Sequence, residues 1–399
     1  MSRTTLLVVP FGALLALLST AACSGEQAQN GGTSASSSGS GATSCSELAA
    51  TCAQTQQGCV EGAAGPSCQP CGAGNYATAA GGCDPIGGTA LAHDFPMNSI
   101  AAGGEQLGNC RSWTVDNTSD LWVNAVELTQ DEESHHSNWV FVPVSSFDGP
   151  DGIWKCSDRS YDFYTAVNAG GLLYAQSTQA THEVQKFAEG AAIHVPAKVR
   201  IISDIHLLNT SKHDTNGHAK LTLYTVAASE VKAQLSAFHI EYDALDLPPL
   251  AASRFTASCA VASDVAKAMG KPFAPKVHYA LPHTHNFATG FFAAVKGGQS
   301  DGAKLLDLGV YNGEAHGRTF DPPIDMTGAD GFTFYCQYLN TTSKDIGWGF
   351  GGSEMCEMFG FAEGSAFFQA RVGTGHAEGT SGVVELFGGD CETQVFTGK

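Results

Sequence analysis

Four short segments hold the side chains best suited to chemistry. The adjacent pair His135-His136 opens the strand-like run Ser137 to Val142, and His206 ends the strand-like run Lys198 to Ile205. His283-Thr284-His285 sits within Ala280 to Gly290, and Gly351-Gly352-Ser353-Glu354-Met355-Cys356 follows. Side chains alternate faces along a strand, so His283 and His285 point the same way and can share one metal ion. Two imidazoles from one strand still need a third ligand from elsewhere. His135 and His136 would face opposite ways on a regular strand, so joint ligation demands a bulge or an irregular strand end. The other histidines, His93, His182, His194, His213, His218, His239, His278, His316 and His376, match no motif and read as surface or hydrogen-bonded residues.

The elements that must position these groups are strands. Runs such as Asn138 to Val144, Lys198 to Ile205, Lys220 to Val226 and Phe332 to Tyr338 are rich in Val, Ile, Phe and Tyr and are separated by Gly, Asp, Asn and Pro. Helical periodicity is weak outside Val261 to Met269. With 399 residues the chain is too long for one ordinary core. The expected fold is all-β: two tandem antiparallel, jelly-roll-like β-sandwich domains over residues 88–230 and 231–399. A flexible tether and a small disulfide-rich module precede them.

Composition bounds the setting. A formal charge of −19, from 39 acids against 20 bases, repels a phosphate backbone and argues against nucleic acid as a partner. Residues 1–22 carry a basic start at Arg3, an apolar run from Leu6 to Leu18 and small residues before Cys23, the pattern of an export signal. The ending Ser19-Thr20-Ala21-Ala22-Cys23 resembles the lipobox of bacterial lipoproteins, whose cysteine is lipidated; ordinary cleavage nearby, leaving Cys23 free, is the alternative. The expected location is the cell envelope, at the outer membrane or cell surface of a bacterium, with the lipid anchor as the sole membrane contact. Residues 23–44 are Ser, Gly, Ala, Gln and Asn with almost no large apolar side chain, a flexible tether.

Setting Cys23 aside leaves an even number of cysteines, which an oxidising compartment pairs. Cys45, Cys52, Cys59, Cys68, Cys71 and Cys83 crowd into a module over residues 45–87. Its Cys68-Gln69-Pro70-Cys71 is also a zinc half-site, although the export signal and the even count favour disulfides.

Taken together and in order, the four chemical segments resemble the copper type II, ascorbate-dependent monooxygenases, the family of peptidylglycine α-hydroxylating monooxygenase and dopamine β-monooxygenase. Either histidine motif alone carries little weight; the combination is specific. The resemblance implies two coppers per chain: an electron-storing one on His135, His136 and His206, and an oxygen-binding one on His283, His285 and Met355, the catalytic set. A thioether is a soft donor that favours Cu(I), whereas zinc hydrolases use nitrogen, carboxylate or thiolate ligands. The implied activity is hydroxylation of a C–H bond in a small molecule or side chain, with O2 as cosubstrate and ascorbate or a similar reductant. Also implied are the disulfides Cys336–Cys356, holding Met355, and Cys110–Cys156, flanking the paired histidines, which leaves Cys259 with Cys391. A further family disulfide beside the paired histidines has no counterpart, because Val142-Pro143 occupies that stretch.

The pattern departs from the peptide-amidating members at the substrate. They place an arginine two residues before the His-Thr-His segment and a tyrosine four residues after the methionine; here those positions are Leu281 and Phe359. Losing the guanidinium removes a bidentate grip on a peptide carboxylate. Asp204, Glu354 and Glu357 offer either a site for a cationic or hydroxylated substrate or plain structural carboxylates. The alternative function is a non-catalytic, copper-binding surface lipoprotein. A zinc-dependent hydrolase fits less well, since no HExxH-like segment occurs.

Overall fold

Strand signals recur from Thr89 to Phe396, and the computed structural model folds them into two β-sandwiches behind a small disulfide-rich module. The described residues are 44–177, 179–309 and 315–398, without the side chain of His135. The export signal, Cys23 and the tether up to residue 43 therefore lie outside them. No helix among the described residues is long and apolar enough to cross a membrane.

The module opens with α1 (Cys45–Gln54), followed by the hairpin β1 (Gln57–Gly62) and β2 (Gly65–Pro70) and the short pair β3 (Asn75–Ala77) and β4 (Cys83–Pro85). Too small to build a core of its own, it is stapled by Cys45–Cys59, Cys52–Cys68 and Cys71–Cys83 around Leu48. It docks through Gln56, whose amide donates to the Gly317 carbonyl and the Tyr279 hydroxyl and accepts from the Val184 N–H.

The first sandwich runs through β5 (Thr89–Asp94), β6 (Asn98–Ile100), β7 (Glu105–Thr114), β8 (Leu121–Gln130), β9 (Ser134–His136) and β10 (Asn138–Pro143). It continues with β11 (Gly152–Lys155), α2 (Phe163–Ala169), β12 (Gly171–Ala175), β13 (His182–Lys186), β14 (Ala191–Val195), β15 (Val199–Leu208), β16 (Thr215–Gly217) and β17 (Ala219–Val226). One of its sheets has the order β11-β7-β15-β10-β12, with β9 on β15; the other carries β14-β8-β17-β5. The passage to the second sandwich falls at the single 3-10 turn Ala228–Glu230.

The second sandwich begins with β18 (Ala233–Tyr242), β19 (Asp246–Leu247), β20 (Ala252–Cys259), α3 (Ala262–Met269), β21 (Lys276–Thr284), β22 (Ala288–Gly297) and β23 (Lys304–Leu308). Then come β24 (Arg318–Asp325), β25 (Ala329–Leu339), β26 (Ile346–Gly347), β27 (Cys356–Glu363), β28 (Phe367–Val372), β29 (His376–Ser381), β30 (Val384–Asp390) and β31 (Glu392–Phe396). Its outer sheet is β23-β22-β25-β20-β30-β29. In β25 the buried Phe332, Phe334, Cys336 and Tyr338 recur at every second residue, the period expected of a half-buried strand.

The two sandwiches share a sheet. The start of β18 pairs in parallel with β14 while its remainder pairs with β27 and β28, so β24-β21-β27-β18 continues directly into β14-β8-β17-β5. Pairing is antiparallel except for β14–β18, β18–β28 and β20–β30. At the seam the strands are covered on both faces, which is why β27 is almost continuously buried. Phe238, Ile240, Ala280, Met358 and Ala362 face the core of the second sandwich. Leu235, Ala237, Tyr279, Leu281, Phe359 and Phe361 join the core of the first.

Candidate metal centre

On that second face, all three seam strands change character toward the same end. β21 runs from Tyr279 and Leu281 to His283 and then His285; β27 runs back from Phe361 and Phe359 to Glu357 and Met355; β18 runs from Leu235 and Ala237 to His239 and Glu241. Directly opposed residues in a ladder share a face. His283 is opposed to Glu357, and one register step beyond the Thr284↔Cys356 pair sets Met355 level with His285.

His283 and His285 are buried, with ring centroids 5.2 Å apart. His283 Nδ1 donates to the Ser177 carbonyl at 3.1 Å, and His285 Nδ1 to the Ser353 carbonyl at 2.8 Å. A carbonyl can only accept, so both rings carry their proton on Nδ1 and present a lone pair at Nε2, the arrangement of an imidazole prepared for a metal. His283 Nε2 has no hydrogen-bond partner among the described residues. Burial, with the neighbouring His285 next, pushes the His283 pKa down to about 3, so the ring is neutral. Burial also lowers that of His285.

The paired histidines arrive from the first sandwich. In the β15–β9 ladder His206 opposes His136 and Leu207 opposes Ser134, so His135 is the extra residue of a β-bulge. The irregularity that adjacent histidines require is thus present in the backbone; the side chain of His135 lies outside the described residues. β15 runs on past His206 to Leu208 rather than ending at it. His206 Nε2 donates to Glu105 Oε1 at 2.8 Å, which leaves Nδ1 facing His136 Nε2 at 3.2 Å. Burial lowers the His206 pKa and Glu105 partly offsets it. Metal–nitrogen bonds of about 2.0–2.1 Å at a tetrahedral angle set two donors about 3.3 Å apart, so these rings can share an ion as readily as a proton.

The resemblance implies two separate triads; in the structure their imidazoles stand together. The His136 ring lies 4.4 Å from that of His283, 5.8 Å from His285 and 5.0 Å from His206. One nitrogen from each of His136, His283 and His285 falls within 4.8 Å of the others. The cause is the shared sheet, which packs the end of β21 against the β9–β15 edge instead of leaving a cleft.

Met355 is 3% exposed and is held by β25 from both sides in sequence: Tyr338 donates its hydroxyl to the Met355 carbonyl at 2.7 Å, and Cys356 is bonded to Cys336. Cys110–Cys156 and Cys259–Cys391 are bonded as well. Glu354 is fully buried and accepts the backbone N–H of His285 at 2.9 Å, of Phe287 at 2.7 Å and of Met355 at 3.3 Å. It ties the His285–Phe287 segment to Met355. Burial pushes its pKa up to about 7 against those hydrogen bonds.

Phe350 covers the rim, stacked at 6.2 Å on His136 and edge-on at 5.7 Å to His206, and is 45% exposed. Next to it Gly351 has φ +67°, and a Cβ there would stand 3.0 Å from the Glu105 carboxylate. Leu281 and Phe359, at the family's substrate-gripping positions, are buried in the core. A groove of about 1470 Å³ between the module and the sandwiches is lined by Gln56, Tyr76, Lys186 and His316, and none of the four imidazoles lines it.

Glu105, Ser177 and Phe350 carry no motif signal; only the tertiary fold brings them to the imidazoles. Among the histidines without a motif, His182, His194 and His278 lie against Glu127, Asp120 and Glu363. His239 is buried and hydrogen-bonded through Nδ1 while its Nε2 is left without a partner among the described residues, and His316 is buried with neither ring nitrogen so satisfied by a side chain.

No family model and no curated protein matches the sequence. Among solved structures the chain is similar to the major capsid protein P2 of bacteriophage PM2, at 7% identity and a TM-score of 0.31, covering 69% of this chain and 97% of that one. It is also similar to PBCV-1 VP54, in a crystal structure fitted into a cryo-EM reconstruction of the virophage Sputnik, at 7% identity and a TM-score of 0.24, covering 69% and 93%.

Proposed function

We propose that this chain is an exported, lipid-anchored, copper- and ascorbate-dependent monooxygenase that hydroxylates a C–H bond of a small molecule or side chain. The observation that carries the reading is that one nitrogen each from His136, His283 and His285 lies within 4.8 Å of the others, with His206 Nδ1 3.2 Å from His136 Nε2 and Met355 level with His285 in the ladder register. The donor set suits copper: imidazoles locked in one tautomer, with a methionine at the register position beside His285. His283, His285 and Met355 would hold one ion, and His136 and His206, with His135, the other. Copper, when bound, supplies one-electron redox chemistry toward O2, and the overall conversion of R–H, O2, two electrons and two protons to R–OH and water draws its electrons from ascorbate.

The chain's own residues prepare that site. The Ser177 and Ser353 carbonyls fix the two imidazole planes, Glu105 orients His206, and the Glu354 bracket and the Cys336–Cys356 bridge fix the backbone of Met355. Phe350 shields the rim and offers an apolar face to an approaching substrate. The His136 and His283 rings, 4.4 Å apart, bring the two sets side by side.

The test is oxygen uptake by copper-loaded protein given ascorbate and a library of amines, phenols and peptides, in the unmodified chain and in Met355→Ile. Reductant-dependent uptake that falls at least about tenfold on substitution supports the reading; unchanged uptake removes Met355 from the site. A second reading, a copper-binding surface lipoprotein without catalysis, is favoured by the absence of a gap between the two histidine sets among the described residues. Stoichiometric copper with no oxygen consumption on any substrate would establish it.

A further inference from the structure

A second cluster of ligand-type side chains lies on the same face of the shared sheet, on β18 and β27. His239 and Glu241 are two residues apart on β18, so they share a face, and Glu357 on β27 is directly opposite Glu241. All three are buried, at 2%, 4% and 7% exposure, and one donor atom from each lies within 4.8 Å of the others. His239 Nε2 is 3.3 Å from Glu357 Oε2 and 4.0 Å from Glu241 Oε2.

The surrounding hydrogen bonds decide what these atoms are. Tyr164, from α2, donates its hydroxyl to Glu241 Oε1 at 3.3 Å, so its oxygen accepts from His239 Nδ1 at 3.2 Å. Gln369 donates its amide to both Tyr164 and Glu241. The His239 proton is therefore on Nδ1, and Nε2 turns a lone pair toward the two carboxylates. Phe359, stacked on the ring at 4.0 Å and 2°, holds it in that orientation. Nε2 has no hydrogen-bond partner among the described residues. The Arg371 guanidinium, on the neighbouring strand, is engaged 3.4 Å away by Asp243. Three acceptors, His239 Nε2, Glu241 Oε2 and Glu357 Oε2, thus converge in a buried interior while the Tyr164 and Gln369 donors are spent on Glu241 Oε1, an arrangement that a cation resolves.

We propose that His239, Glu241 and Glu357 form a second metal site, separate from the four-histidine cluster, for a divalent cation of the zinc class. One imidazole and two carboxylates with no sulfur suit Zn(II) or Mn(II) rather than Cu(I). The ion clamps β18 to β27 and so steadies the strand that begins just after Met355. It enters as the sandwich closes, because the ligands are fully buried, and binding is coupled to folding.

The test counts zinc and reads stability in full chains whose four-histidine cluster is disabled by His283→Ala with His285→Ala, so that failure here is distinct from failure of the copper reading. After stripping with chelator and redialysis against zinc, this background should retain about one zinc per chain, and adding Glu357→Gln or His239→Ala should bring that to near zero. Thermal unfolding supplies the second readout. Without zinc, Glu357→Gln should melt at or above the parent, since an amide replaces a buried carboxyl that has no cation to pair with; with zinc the order should reverse. If the background unfolds, the same comparison of Glu241→Gln and Glu357→Gln is made in the unmodified chain, reading the visible spectrum of added Co(II). A background that binds no zinc, a Glu357→Gln protein that keeps it, or a melting order indifferent to zinc overturns the proposal and leaves two carboxyl groups sharing a proton.

Discussion

Glu354 illustrates how a single side chain can be more consequential than its position suggests. Its two oxygens receive three backbone N–H groups, those of His285, Phe287 and Met355, in a site from which water is excluded. Hydrogen bonds to a charged group are worth roughly 1.5–3 kcal/mol each, and buried donors left alone cost more than the bond returned. Glu354→Ala should therefore destabilise the protein by roughly 3–5 kcal/mol, measured by urea denaturation, and weaken copper binding through His285. A loss under about 1 kcal/mol would mean the bracket is redundant. From the chain alone this carboxylate was open to a role at the substrate. His283 and His285 were legible because strand alternation is a local rule, whereas Glu105, their counterpart's anchor, lies 101 residues from His206 and has no signal of its own.

Among the elements, β25 and β9 set the site. β25 grips the Met355 segment twice, through the Tyr338 hydroxyl and through Cys336. Replacing Cys336 and Cys356 together by Ser opens a bridge spanning 20 residues, worth roughly 3 kcal/mol in the chain-entropy model. The expected outcome is a clear fall in Tm with the hydrogen bond from Tyr338 still locating the Met355 backbone, so that copper stoichiometry measured at low temperature is retained. Loss of copper in a still-folded double variant would show that the bridge alone positions Met355. In β9 the bulge at His135 is the element-scale device: adjacent histidines demanded an irregularity, and the β15 ladder supplies it.

For the molecule as a whole, one sheet running through both sandwiches leaves several carboxyls buried where separate domains would have left them wet. Burial raises Glu183, Glu241 and Glu354 to about 7 and Glu357 to about 8. A carboxyl with a raised folded-state pKa holds its proton after the unfolded chain has released it, so stability falls as pH rises toward the folded value. His283 and His316, lowered to about 3 and about 4 by burial, act oppositely, but their contribution is complete above the unfolded value of 6.5. Between about pH 6.5 and 8, then, chelator-treated protein should lose on the order of a few kcal/mol, read from denaturant midpoints. A flat or rising profile over that window contradicts the burial of these groups. The continuity of the sheet across the turn Ala228–Glu230 had no sequence marker.

The sequence by itself determined the all-β character, the alternation that puts His283 and His285 on one face, the need for irregularity at His135-His136, and a cysteine inventory that pairs completely among the described residues. These follow from periodicity and counting, which act over a few residues or ignore position altogether. Only the tertiary structure decided that the two histidine sets meet, that Glu354 is a bracket, and that His239 faces two glutamates. Each of those depends on which distant strands pair and in what register, and a one-residue change in register would send the same side chains to the opposite face.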